Sequence, residues 1–362
     1  MAYIQRYNLK NGSYRYRVWY TTPDNKRKSK CGFRLKGDAE RWKATTLVDI
    51  TNGSYVDADL SKKTISTLSN QWLENKKGII KPKYYYDLET ALRVHVIPKW
   101  GSCQLGAIKS SAVQAWVSEL SQERSASVVL RAYGCLKGIC EMAIMDNLIK
   151  ANPCSNIQLP KKRRKQRTYL TPKQVVALAN ASGRYKTLIL VFGFCGLRWG
   201  EACALRVEDI DVINNRLNVH RNYVRFGKTH SEGAPKTWEN RSVPVPSYVM
   251  SEIKKEIQSK SNDRLVFEEW EGEHLHEQRR TGNGWYSRAI AAACVPSLTI
   301  HDLRHTAASI AISSGANVKV VQKMLGHKNA AMTLDTYADL FDTDLDNVAT
   351  RVNNVIEGLN VQ

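Results

Sequence analysis

Residues 301–337 read HDLRHTAASIAISSGANVKVVQKMLGHKNAAMTLDTY, and this stretch decides how the rest of the chain is read. Leu303, Ala307, Ala308, Ile310 and Ala311 carry a helical apolar period, so His301 and Arg304, three residues apart, share one helix face. A histidine and a guanidinium on one face can grip a phosphate, because the planar fork of arginine offers paired donors and imidazole adds a donor or moves a proton. A pentavalent phosphorane gathers charge on two non-bridging oxygens, which calls for a second arginine. Arg198 supplies one in Gly196-Leu197-Arg198-Trp199-Gly200-Glu201, where the flanking glycines permit close backbone approach. Tyr337 follows His327 by ten residues. A phenol serves as a nucleophile only when cations and a base offset its ordinary pKa of about 10.

Taken in order, Arg198, a lysine in the β-region that follows, His301-x-x-Arg304, Leu325-Gly326-His327 and Tyr337 resemble the signature of the tyrosine recombinases, specifically the phage-type integrases. The resemblance covers nearly the whole chain, since the upstream stretches are similar to the DNA-binding modules of the larger integrases that engage two kinds of DNA site. It implies that Tyr337 attacks a DNA phosphate to give a 3′-phosphotyrosyl link and a free 5′-hydroxyl, while Arg198 and Arg304 hold the non-bridging oxygens. Lys236, in Pro235-Lys236-Thr237, matches the family's hairpin lysine and would protonate the leaving 5′-oxygen; Lys228, beside Gly227, is the alternative. By the same resemblance His301 assists the tyrosine's proton, His327 donates to the phosphate, and Glu201 and His305 support the others. Read alone, Glu201 is equally a surface carboxylate paired with a nearby cation, and no base for Tyr337 can be singled out. No metal or other cofactor is required, because one phosphodiester replaces another of similar energy. Two rival readings use many of the same residues: a type IB topoisomerase, and a non-catalytic DNA-binding regulator.

Composition agrees with a nucleic-acid partner. The 362 residues hold 54 Lys and Arg against 34 Asp and Glu, net +20 and spread from end to end, which suits a polyanion touched at many points. That length accommodates two or three domains. The eight cysteines form no C-x-x-C pair or metal spacing and read as reduced thiols in a cytoplasmic protein. The N-terminus MAYIQRYNLKNG is polar and basic, and no run of about eighteen apolar residues suggests a membrane span.

The expected fold is multidomain α+β. Residues 1–58 predict a small three-stranded sheet plus a helix, an arm-type DNA-binding domain by the resemblance. In its middle strand Tyr14, Tyr16, Val18 and Tyr20 alternate with Arg15, Arg17 and Trp19; the third strand adds Lys28 and Lys30, making either a basic DNA-reading sheet or a solvated edge. Residues 64–158 predict a helical core-binding domain, with Thr64, Pro82, Ser110 or Ser111, and Ser125 opening its helices and at least one of Tyr84, Tyr85 and Tyr86 turned into its core. Residues 159–169, LPKKRRKQRTY, carry Lys161, Lys162, Arg163 and Arg164 in a basic linker, either a tether or a strap that tracks the DNA backbone. A mostly α-helical catalytic domain with a small sheet fills 170–362. Its final segment, with Val348, Val352, Val355, Ile356 and Leu359 on one face, caps its own molecule or docks on a neighbour in a tetramer on DNA. An integrase that bridges distant sites also implies a host DNA-bending protein and a directionality factor. His274 and His276, in EGEHLHEQRR, read as a solvated loop.

Overall fold

The computed structural model describes residues 2–57, 59–162, 167–227, 229–233, 240–270, 272–276, 284–341, 352–354 and 356–357. Its contacts divide into two compact units, residues 1–163 and 164–362. The architecture is the α+β one expected: an N-terminal three-stranded sheet, a helical region, and a mostly helical C-terminal unit with short strands.

The first unit opens with an antiparallel sheet in the order β1 (Tyr3–Asn8), β2 (Tyr14–Thr21), β3 (Arg27–Phe33), followed by α1 (Lys36–Thr51). Alternation along β2 sends Val18 and Tyr20 inward, where Tyr20 meets Trp42 of α1 edge to face. Antiparallel cross-strand partners share a face, and here Lys30 lies opposite Val18 and Lys28 opposite Tyr20. Lys28 and Lys30 therefore do not extend the Arg15/Arg17 surface as expected; they sit at the edge of the helix-covered side, and Lys28 is tied to Asp57 and Asp59. On the opposite face Arg17 lies over Tyr7 and Trp19, Arg27 over Tyr3 and Trp19, and Trp19 donates to Gln5 at 3.0 Å. Arginine stacked on aromatic rings keeps its charge while losing rotamer freedom.

Helices then follow: α2 (Ile65–Glu74), α3 (Pro82–Ala91), a π-helical turn over Leu92–Val96 running into α4 (Ile97–Trp100), α5 (Ser110–Glu123) and α6 (Ala126–Met145). Thr64 caps α2 by accepting from the Thr67 amide, and Ser125 precedes α6. Lys109, not Ser110 or Ser111, occupies the N-cap of α5, so both serines lie inside the first turn. None of Tyr84, Tyr85 and Tyr86 is buried; Leu88 and Ala91 carry the inward face of α3 instead. These helices close over a core that includes Trp72, Trp100, Trp116, Leu136 and Ile139. Lys150 pairs with Asp49 of α1 at 2.6 Å, joining sheet and helices within the unit.

In the second unit, a Thr171/Gln174 capping box with proline at the first turn starts α7 (Pro172–Asn180). Next, α8 (Lys186–Leu190) passes through a π-helical turn, Val191–Cys195, to Gly196, whose φ of +68° reverses the chain into α9 (Trp199–Cys203). Strands β4 (Ile210–Asp211), β5 (Arg216–Val219) and β8 (Arg241–Pro244) form one sheet, while β6 (Asn222–Phe226) and β7 (Thr229–Gly233) form a hairpin. Five helices follow among the described residues up to 341: α10 (Ser247–Ile257), α11 (Trp285–Ala292), α12 (Ile300–Ser313), α13 (Val318–Leu325) and α14 (Ala330–Phe341). His274 departs from the solvated-loop reading: it stacks on Tyr223 at 3.9 Å between centroids and donates from Nδ1 to the Cys203 carbonyl at 2.8 Å. His276 is exposed. None of the eight cysteines is in a disulfide, and five of them are buried. No helix among the described residues is long and apolar enough to cross a membrane.

Gly200 sets how close α9 comes to the hairpin, since a Cβ there would lie 2.3 Å from the Tyr223 carbonyl oxygen. Gly200→Ala is expected to destabilise the protein by about 1–3 kcal/mol, the usual cost of forcing atoms into a packed contact. Urea denaturation followed by circular dichroism would check this; an unchanged midpoint would show that the two elements separate freely.

Candidate active site

Helix α12 starts from a Thr299/Asp302 capping box, and its first turns carry His301, Arg304 and His305. Arg304 is buried, with 3% of its surface exposed, and its guanidinium donates to the carbonyls of Gly196 and Leu325. Such burial lowers even an arginine's pKa, and the neighbouring Arg198 lowers it further, to about 9.

The end of α13 draws the site together. The last carbonyls of a helix have no helical partner and sit at the negative end of its dipole. Here the Met324 carbonyl accepts from Arg241 Nε at 3.0 Å, the Leu325 carbonyl from Arg304 Nη2, and the Gly326 carbonyl from Arg198 Nη2 at 3.0 Å. Gly326 closes the helix in the left-handed region, and a Cβ there would stand 3.0 Å from Cδ of Arg241. Three arginines from three separate elements thus converge on one turn.

Glu201 lies among them. Its Oε1 accepts from Arg198 Nη1 at 2.6 Å and Arg241 Nη1 at 2.9 Å; its Oε2 accepts from the Arg198 amide at 2.8 Å and Arg241 Nη2 at 2.6 Å. Burial alone would raise this carboxyl, but the hydrogen bonds and charge of Arg241, with the charges of Arg198 and Arg304, overcome it and hold the pKa at about 2. Glu201 is therefore an interior carboxylate with all its charge partners in place.

Tyr337 interrupts α14, taking φ −130° and ψ 17° within an otherwise helical run. It is 1% exposed and packs with Ala308, Ile312, Val321 and Leu325. Its hydroxyl hydrogen-bonds His305 Nδ1 at 2.8 Å, and its ring lies parallel to that of His327 at 6.4 Å. Burial pushes the phenol up to about 12 despite the charges of Arg304 and Arg167. His305 and His327 are each pushed down to about 4, first by burial and then by neighbouring positive charge from His301 and Arg304 respectively. His327 Nδ1 is held by Thr333 Oγ1 at 2.9 Å. His301 is exposed and meets the His305 ring edge to face at 5.1 Å; surrounding protein and the Arg304 charge lower its pKa too.

Arg198, Glu201, His301, Arg304, His305, His327 and Tyr337 thus lie in one cluster, drawn from residues almost 140 positions apart. Lys236 and its alternative Lys228 lie outside the described residues, as do Arg163 and Arg164; Lys161 and Lys162 are exposed. Two differences from the sequence reading stand out. The imidazole on the Tyr337 hydroxyl belongs to His305, not His301. Arg241 and Arg167 also escaped notice: the first joins Glu201 to α13, and the second lies over the Tyr337 ring at 6.0 Å and donates to the Thr336 carbonyl. Arg167 was hidden in a run of like charges, and nothing local to Arg-Ser-Val marks Arg241 as buried.

Comparison with known proteins identifies the family. The phage integrase family model matches residues 168–344, and the model for the phage integrase N-terminal SAM-like domain matches 64–121. A putative prophage phiRv2 integrase of Mycobacterium tuberculosis is 25% identical over 331 residues, covering 88% of each chain. A tyrosine recombinase of Thermosipho africanus is 29% identical across 64% of this chain and 80% of that one. Among solved structures, the Tn1549 transposon integrase in complex with transposon right end DNA aligns with a TM-score of 0.66 at 22% identity, over 79% of this chain and all of that one. A lambda integrase tetramer bound to a Holliday junction gives 0.60 at 17% identity, over 90% and 96%. The chain belongs to the phage integrase family, the tyrosine site-specific recombinases.

The depressed histidines fix a pH dependence. Between about 4 and 6.5 the unfolded chain holds protons on residues 305 and 327 that the folded protein does not, so stability rises with pH across that window and is lost as pH falls through it. Thermal unfolding midpoints should drop from pH 6.5 to 4, and the drop should be shallower in the His305→Gln/His327→Gln double variant. An identical slope in the variant would mean that neither imidazole is held neutral.

Proposed function

We propose that this recombinase cleaves and rejoins double-stranded DNA through a covalent 3′-phosphotyrosine on Tyr337. The observation that carries this reading is the 2.8 Å hydrogen bond between the Tyr337 hydroxyl and His305, in a cluster that also holds Arg198 and Arg304. A phenol with a pKa near 12 is neutral at rest, so its proton must leave as it attacks. His305, neutral at physiological pH, presents Nδ1 to that proton, and His301 beside it is the route onward. The bond from Tyr337 Oη to phosphorus forms as the bond from phosphorus to the 5′-oxygen breaks. Arg198 and Arg304 take up the charge on the two non-bridging oxygens, His327 donates to the phosphate, and Lys236 supplies the leaving oxygen's proton. Attack by a different 5′-hydroxyl reverses the step and completes recombination.

Residues 1–58 are proposed to bind arm-type sites through the Arg17/Arg27/Trp19 face and 64–158 to bind core-type sites, and the basic run at 159–169, which leads into the catalytic domain, to track the DNA backbone. Integration and excision of a phage or mobile element then require a tetramer on DNA, a DNA-bending protein and a directionality factor. The net charge of +20 supports the DNA partner. A type IB topoisomerase would keep its activity without residues 1–58, whereas an integrase would lose or misdirect strand exchange.

The decisive variant is Tyr337→Phe. On denaturing gels, wild type incubated with DNA flanking its own gene should give a protease-sensitive covalent adduct. The variant should bind that DNA with affinity within about threefold of wild type, since the hydroxyl contributes nothing to phosphate or base contacts made elsewhere, and should give no adduct. Residual adduct in the variant would remove Tyr337 from the nucleophile's place.

A further inference from the structure

We propose that Arg241 is a positioning residue for strand cleavage, fixing the direction in which Arg198 presents its guanidinium to the scissile phosphate. This rests on the reading above in which Arg198 and Arg304 bind that phosphate. All three guanidinium nitrogens of Arg241 are already engaged within the protein: Nε is on the Met324 carbonyl, and Nη1 and Nη2 are on the two oxygens of Glu201. What it controls is Glu201. Each oxygen of that carboxylate is shared between Arg198 and Arg241, so the carboxylate is pulled from two sides and its plane is set by both. Without Arg241 the carboxylate is left to Arg198 alone and turns toward it, drawing the guanidinium off the Gly326 carbonyl and away from the phosphate's side.

The charges lead to the same conclusion. Three arginines around one carboxylate leave two net positive charges, matched to the two non-bridging oxygens that become negative in the phosphorane. Arg241 compensates Glu201, so Arg198 and Arg304 keep their full charge for the substrate. Its Nε bond also fixes the turn that ends in His327, which couples the aim of Arg198 to the imidazole.

The test is single-turnover cleavage of a nicked duplex carrying the cleaved sequence, made with either the natural phosphodiester or an uncharged methylphosphonate at the scissile position. Arg241→Met and Arg241→Lys should bind DNA within about threefold of wild type but cleave the phosphodiester about 10²-fold more slowly, the scale of a misplaced catalytic group. On the methylphosphonate, where little charge needs to be met, the deficit should shrink to about tenfold or less. An equal deficit on both substrates would make Arg241 merely structural and overturn the proposal. Should Arg241→Met fail to fold with its carboxylate unpaired, Arg241→Met combined with Glu201→Gln removes both charges and is read the same way. Arg198→Ala separates the two levels of inference: if it too shows no relief on the neutral substrate, the phosphate-binding reading falls and the proposal with it. If Arg198→Ala is relieved and the Arg241 variants are not, only the proposal falls.

Discussion

Helix α13 ends in three carbonyls that no helical amide can satisfy, and three arginines from distant parts of the chain satisfy them. Most of the geometry of the candidate site follows from that. Arg198 arrives from the start of α9, Arg241 from β8 and Arg304 from α12, so three elements are registered against one turn. Three guanidinium groups this close repel one another, and the arrangement holds because Glu201 stands between two of them and the helix dipole opposes all three. Replacing the carboxylate by a neutral group would leave the arginines to find other partners. A buried ion cluster of this kind is weak evidence for stability but fits a site that must hold charge ready for an incoming anion.

The small residues around the cluster act by exclusion. Gly196, Gly200 and Gly326 each lie where an added Cβ would press on Leu325, the Tyr223 carbonyl or Arg241 respectively. Two of the three also take a positive φ, so close approach and chain reversal are obtained at the same residues. The glycines therefore set distances that the charged side chains then use. Tyr337 is placed differently: it packs among apolar side chains of α12 and α13, with its hydroxyl on His305 and the Arg167 guanidinium over its ring. Burial keeps the phenol protonated, which suits the proposed role of a nucleophile that must not react until substrate arrives.

Much of this was legible in sequence because the motif residues sit at fixed local spacings. His301-x-x-Arg304 lies on one helix face, Thr171-Pro172 and Thr64 read directly as helix starts, and the alternation of β2 put Tyr14, Tyr16, Val18 and Tyr20 on one face, of which Val18 and Tyr20 are buried and Tyr14 is exposed. What failed were properties of pairing across long separations. Which face Lys28 and Lys30 share depends on the register of β3 against β2, including the irregularity between Tyr16 and Val18, and no strand carries that information by itself. The role of Arg241 depends on a carboxylate 40 residues earlier, and that of His305 on a tyrosine 32 residues later. His274 looked solvated among polar neighbours because its stacking partner, Tyr223, lies in a different element. Ser110 and Ser111 lie one and two positions past the N-cap for a simpler reason, since helix ends are set by whichever residue leaves the helical region first.

In the proposed site Arg198 and Arg304 bind the scissile phosphate while Arg241 and Glu201 hold them in place. The structure of the Tyr337→Phe protein on DNA with an intact scissile phosphate tests it most directly. Both non-bridging oxygens are expected within hydrogen-bond distance of Arg198 and Arg304, with the bidentate pair between Arg241 and Glu201 unchanged. A phosphate bound elsewhere, or one contacted by Arg241 after that pair had broken, would contradict it.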